Sequence, residues 1–186
     1  NGFNPQFVLD YTTNTYHDSD GAAVDRDVVI SYTGNSLSTM TGSTGLLSWG
    51  PHNFVLNSAT LSTQSVTTVA RQYTLAFTGT GTVTLTGTST AGPLVGTGVS
   101  DLVSLDFTPT AGELTLTVSG SVTLARLYRS DVPMVNNPDT GTSYVPTAGS
   151  IVYMQRIGNY IFNGTSWVNE GTLIENEART NLFVES

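Results

Sequence analysis

The chain has 186 residues, six of them Arg and none Lys, and 14 are Asp or Glu, so the net charge is −8. Only 11% of residues are charged, less than half the usual share of about 25%, which leaves Thr, Ser, Asn and Gly to keep the surface wet. That balance argues against nucleic acid or an anionic membrane surface as partner. The absence of Cys excludes disulfides and thiolate metal sites, and no apolar run approaches the ~20 residues of a membrane-spanning helix.

In chain order, NGFNPQFVLDY (1–11) sets Phe3, Phe7 and Tyr11, with Val8 and Leu9, in an otherwise polar terminus. Apolar side chains on such an arm suggest docking onto a partner. The reading is therefore an N-terminal β or extended region over 1–44, with Phe3, Phe7 and Tyr11 as its anchors. DSDG (18–21) follows, with Asp25 and Asp27 soon after. Asp18 and Asp20 at i and i+2 suit a hard cation such as structural Ca²⁺. The spacing of a complete calcium loop is missing, and Asp and Gly also build ordinary turns. Both readings stand at this point, and no other cofactor is expected.

Residues 71–128 carry a strict period of two. Tyr73, Leu75 and Phe77 alternate with Thr74, Ala76 and Thr78; Val83 and Leu85 sit among Thr82, Thr84 and Thr86. Val103, Leu105 and Phe107, then Leu114, Leu116 and Val118, then Val122 and Leu124 repeat the pattern about every ten residues, with Gly between the runs. β-branched Thr favours pleated strands, so each strand is expected to have one buried face and one hydroxyl-covered face. After Leu124 the alternation slips, which predicts a bulge near Ala125–Arg126. The fold class is all-β: an antiparallel jelly-roll β-sandwich over 45–147. DVPMVNNPDTGTSYVPTAGS (131–150) leaves it as a loop. A β connector occupies 148–186, with Asn163-Gly164 as a hairpin turn.

The connector holds an internal repeat. LLSWGPHNFVLNS (46–58) and LIENEARTNLFVES (173–186) align so that Asn53 matches Asn181, Phe54 matches Leu182 and Ser58 matches Ser186. The first copy leads into the sandwich, so the second is expected to open a further module of a longer protein. The alternative is a C-terminal strand that pairs back onto the chain.

These residues resemble a known family. EARTNLF (177–183), after a Gly and an apolar pair, is similar to the GLLIEEARTNLL–S lead-in of bacteriophage tail-fibre, head-fibre and related virion proteins, where it precedes a carbohydrate-binding-module-like jelly roll. SLSTMTGSTGLL (36–47) resembles the element before that lead-in, and TSYVPT (142–147), after ARL (125–127), resembles the jelly roll's ending. The first lead-in departs from the pattern, with Pro51-His52 in place of Arg-Thr, and ARLY lacks the expected acidic residue. The resemblance implies a structural protein of a phage particle, a fibre or spike, that contacts the host envelope or supports a part that does. It implies no catalysis. Its partners would be other virion proteins and host surface polysaccharide, and its assembly a homo-oligomer, with a trimer favoured.

Sugar binding needs an aromatic face beside amides, hydroxyls or Arg. Trp49, His52, Tyr128 and Trp167 fall outside the inward alternation, and Arg126 flanks Tyr128. These five are the candidate carbohydrate residues, although Trp49 and Trp167 could instead plug a sandwich end. Asp101, Asp106 and Glu113 are the carboxylates a glycosidase would require as a facing pair; their strand positions read as surface. With no nucleophile elbow near His17 or His52, the chain is read as no enzyme. Two further readings are an adaptor or decoration protein that binds no sugar, and an accessory module of a polysaccharide-degrading enzyme.

Overall fold

The computed structural model describes residues 8–13, 15–18, 20–25, 34 and 36–173. The second repeat copy beyond 173, with Phe3, Phe7 and Asp27, lies outside them. Among the described residues the protein is all-β, with antiparallel strand pairs and no helix. It divides into two compact units, one formed by Asn1–Gly50 with Tyr153–Ser186, the other by Pro51–Val152.

The first unit holds β1 (Val8–Asp10), β2 (Thr15–His17), β3 (Thr39–Thr41) and β4 (Leu47–Trp49). The second holds β5 (His52–Asn53), β6 (Gln64–Thr68), β7 (Tyr73–Gly79), β8 (Thr82–Gly87), β9 (Leu94–Val95), β10 (Gly98–Phe107), β11 (Gly112–Ser119) and β12 (Val122–Arg129). After β13 (Val152–Tyr153) the chain returns to the first unit with β14 (Arg156–Phe162) and β15 (Trp167–Leu173).

The second unit has two antiparallel sheets, ordered β6-β11-β8-β9 and β10-β7-β12. The alternation read from the sequence explains its core. Leu75, Phe77, Val83, Leu85, Leu114, Leu116, Val122 and Leu127 are buried, while Thr84, Thr86 and Thr117 face water. This is the arrangement of a β-sandwich, with one apolar face per strand. Between β7 and β8 the backbone approaches itself closely. Gly79 has φ +125°, and a Cβ there would overlap the Ser121 carbonyl, so only glycine fits.

Leu124 does not point inward as the alternation suggested. It is 43% exposed with φ 48°, and Ala125 takes the buried place. The register of β12 on β7 shifts between Thr123 and Arg126, so the bulge spans Leu124 and Ala125, one residue before the expected place. It restores the phase: Leu127 pairs with Leu75 inward, and Arg126 pairs with Ala76 on the outer face.

The free edge of β12 is closed by residues 52–61. The Phe54 and Leu61 amides donate to the Leu127 and Val122 carbonyls, both at 2.9 Å, and the Ala125 amide donates to Ser58 O at 2.8 Å. Side chains supply the rest. The Arg129 amide donates to His52 Nε2 at 2.9 Å and the Leu127 amide to Asn53 Oδ1 at 3.0 Å. Asn53 Nδ2 donates to Ala125 O at 3.0 Å and Val145 O at 2.8 Å.

In the first unit, chain segments far apart in sequence meet. Arg156 donates to Thr39 O at 3.0 Å, and the Thr41 amide donates to Asn159 Oδ1 at 3.0 Å. Residues read as an N-terminal arm and a C-terminal connector are thus one unit, into which residues 51–152 are inserted. Local periodicity cannot report such pairing, because the bonds come from side chains 117 and 118 positions away.

Replacing Asn53 with Ala strands four buried backbone partners, so we expect a loss of roughly 3–5 kcal/mol, a large part of a domain's ~5–15 kcal/mol. Urea denaturation followed by circular dichroism, with hydrogen exchange at the Leu127 amide, measures it. Ser65→Ala, at an exposed hydroxyl pair with Thr115, should stay within ~0.5 kcal/mol. Equal midpoints for the two variants would refute this account of the β12 edge.

Candidate functional site

The outer face of sheet β10-β7-β12 is built by register. Ser104, Ala76 and Arg126 form one cross-strand row, and Asp106, Thr74 and Tyr128 the next. The middle strand carries only short outward side chains, Thr74, Ala76 and Thr78. All three are buried although they lie on the outer face. The result is a low floor with Ser104 and Asp106 on one side and Arg126 and Tyr128 on the other. Thr74 Oγ1 donates to Asp106 Oδ1 at 2.6 Å, which holds that carboxylate at the floor's edge.

Residues 143–145 wall the far side. Arg126 Nη1 donates to Ser143 Oγ at 2.9 Å, and its guanidinium lies 5.6 Å from the centre of the Tyr144 ring, within cation–π range. The Tyr144 hydroxyl meets Ser58 Oγ at 3.1 Å, so the ring is held at both ends. Arg126 is 6% exposed, its Nε has no hydrogen-bond partner, and burial pushes its guanidinium below its ordinary pKa. Tyr144 and Ser143 were not among the residues the sequence singled out. TSYVPT was visible as a motif, but nothing in its spacing indicates that it returns to β12.

The five candidate sugar residues divide between the two units. Arg126 and Tyr128 share the outer face of the sheet. His52 is corrected to a core residue, because it is fully buried. Its Nε2 accepts from the backbone, which puts its proton on Nδ1, and its ring stands edge-on to Phe54 and Tyr128, with centroids at 5.1 and 6.4 Å. Trp49 and Trp167 belong to the first unit. Trp49 is half-buried on β4, opposite Thr39. Trp167 is 38% exposed and packs on Phe162 with ring centroids 5.5 Å apart. It also covers Gly45, where φ is +79° and any Cβ would overlap its ring. Leu46, Leu47 and Phe162 are exposed beside it.

DSDG forms a turn. Asp18 Oδ1 accepts from the Asp20 and Ala22 amides, both at 2.9 Å, and Gly21 has φ 78°. Asp20 is exposed. Among the described residues no three His, Asp or Glu side chains cluster as metal ligands would. The carboxylates Asp101 and Asp106 sit on β10 and Glu113 on β11, in different sheets.

Tyr11 lies in the β1–β2 turn rather than on a loose arm. Its ring meets Tyr16 edge-on at 5.6 Å, and its Cβ is 3.3 Å from where a Cβ on Gly171 would sit. Asp10 organises this turn, because its Oδ1 accepts from the Thr12 hydroxyl at 2.5 Å and the Thr12 amide at 2.8 Å.

Comparison with known proteins returns no match among family models, curated proteins or solved structures.

The hydroxyls of Thr12 and then Thr13, with their amides, hold the Asp10 carboxyl well below the ordinary 3.8. A depressed folded-state pKa stabilises above the unfolded value and loses that contribution as pH falls towards the folded one. The β1–β2 turn should therefore stay formed at 3.8 and loosen only in stronger acid. Carboxyl-carbon NMR of the whole chain checks this, and an Asp10 titration at the ordinary value would contradict it.

Proposed function

We propose that this chain is a structural component of a bacteriophage particle, a fibre or spike, whose unit 51–152 binds host surface polysaccharide. The observation that carries the reading is the outer face of β10-β7-β12. Across β7, exposed Ser104 and Asp106 on β10 face half-buried Tyr128 on β12 in successive cross-strand rows. Tyr128 offers a ring, and the exposed Ser104 and Asp106 offer hydrogen bonds to sugar hydroxyls.

The winding supports a jelly roll. After β6 in one sheet the chain enters β7 in the other, returns for β8 and β9, and then alternates through β10, β11 and β12. The lead-in motifs resembling phage fibre proteins support the setting. A single shallow face binds weakly, and a homo-oligomer, a trimer by that resemblance, raises avidity through effective concentration.

A second reading, a virion adaptor, is favoured by the first unit. Leu46, Leu47, Phe162 and Trp167 are exposed around Gly45, and exposed apolar groups of this kind mark protein contacts.

Calorimetry of the whole chain against host-envelope polysaccharide tests the first reading. Tyr128→Ala should weaken binding about tenfold, the loss of roughly one good contact, while Trp167→Ala leaves it unchanged. Saturable binding that ignores Tyr128→Ala would remove the sheet face from consideration. Absence of binding, with Trp167→Ala reducing incorporation into particles, would favour the adaptor.

A further inference from the structure

Among the described residues, Arg126 is a buried cation with no carboxylate to neutralise it. Its charge-bearing group meets one hydroxyl, Ser143 Oγ, and one aromatic face, Tyr144; Nε is without a partner. The other basic residue of β12 is different, because Arg129 Nε donates to Asp131 Oδ1 at 2.9 Å and forms an ion pair with that carboxylate. Asp106, on the same outer face, is committed to Thr74 and sits on β10, the far side of β7 from Arg126. Burying a guanidinium without a counter-charge opposes folding, since desolvation is not offset by a strong hydrogen bond. Tyr144 recovers part of it. The rest is recovered when an anion arrives, and a planar guanidinium suits a carboxylate or phosphate better than a neutral hydroxyl.

We infer that the Arg126 guanidinium is the specificity group of the sheet face and that it selects an anionic sugar unit, one carrying a carboxylate or a phosphate. This rests on the glycan-binding reading of the same face. The sugar ring would lie over Ala76 and Thr74 against Tyr128, and its anionic group would reach Arg126 from the side of the floor, opposite Tyr144. The Ser143 contact is the one the anion would replace or share. Neutral sugars would still find the ring and the hydroxyls but would leave the cation unpaired.

The test is side-chain NMR of the whole ¹⁵N-labelled chain, which has only six Arg residues, so the buried Arg126 Nε–H signal can be assigned by its loss in Arg126→Lys. The probes are glucuronate, glucose 6-phosphate and glucose, each titrated to tens of millimolar, on the order of ten times a ~1 mM dissociation constant. A saturable shift of the Arg126 signal with either anion, at least about tenfold stronger than with glucose, is the expected result; the two anions separate a carboxylate from a phosphate source. Arg126→Lys, which keeps the charge without the planar fork, should lose most of that preference while retaining the wild-type melting temperature. Equal responses to glucose and to both anions would overturn the inference and leave the sheet-face glycan reading in place. No response to any of the three would also overturn it, and the polysaccharide calorimetry would then judge the broader reading by itself.

Discussion

The second unit depends on one side chain. Asn53 is fully buried and bonds four backbone groups: Leu127 N–H and Ala125 C=O on β12, Val145 C=O beyond it, and Val55 N–H two residues along its own segment. An ordinary partner strand would offer β12 a regular ladder, but the bulge at Leu124 and Ala125 breaks the spacing such a ladder needs. A primary amide solves the problem because it carries a donor and an acceptor close together and can bridge the irregular interval. Its second donor bond then fixes Val145. Thr147 adds to this, with its amide donating to Ser58 Oγ at 2.8 Å and its hydroxyl to Val55 O at 2.6 Å. Two consequences follow from one residue: the sheet edge is closed, and the segment carrying Ser143 and Tyr144 is placed beside Arg126.

That placement explains why β7 is buried on both faces. A central strand in a two-layer sandwich normally keeps one face wet. Here Thr74, Ala76 and Thr78 on its outer face are buried as well, and on neighbouring β12 Arg126 is covered by Ser143 and Tyr144 of the returning segment. The unit thereby gives up part of a solvated sheet face and keeps a cation in a dry place. Stability alone does not favour that choice, because a Leu or Met at position 126 would fill the space without a charge to desolvate. A buried arginine therefore runs against the demands of folding, and such conflicts are where sites are expected to lie.

Much of the fold was legible in the sequence for a simple reason. Residues 73–122 alternate with period two, and the same alternation decides which side chains the core receives, so Leu75, Phe77, Leu85, Leu114 and Leu116 could be assigned inward one by one. The slip after Leu124 was legible too, as a break in phase, although a residue-by-residue count cannot say which of two adjacent positions bulges. The site was only half legible. Arg126 and Tyr128 stood out as polar and aromatic residues on a strand. Tyr144, eighteen positions on from Arg126, carries no periodic signal, and the bond that places it starts at Asn53. His52 was misplaced for the same reason: a ring beside a proline looks like a surface group until its nitrogen is seen serving a backbone amide. The first unit was the least legible, since its unity rests on Arg156 and Asn159 reaching β3 from the other end of the chain.

The charge distribution bears on the choice of ligand. A chain with net charge −8 repels an anionic polymer at long range, which argues at first sight against anionic sugars. The two effects act over different distances. Repulsion from scattered surface carboxylates is screened beyond about 8 Å at physiological salt. The attraction at Arg126 acts at contact, in a place largely shielded from water and ions. Salt therefore weakens the opposing effect more than the favourable one, and capture should hold or strengthen as ionic strength rises, the reverse of binding through an exposed basic patch. On the proposed reading, a repulsive envelope around the buried Arg126 would also filter ligands. Polyanions that could not bring a charged group to Arg126 would be turned away, while one whose anionic unit reached it beside Tyr128 would gain the contact that offsets the approach.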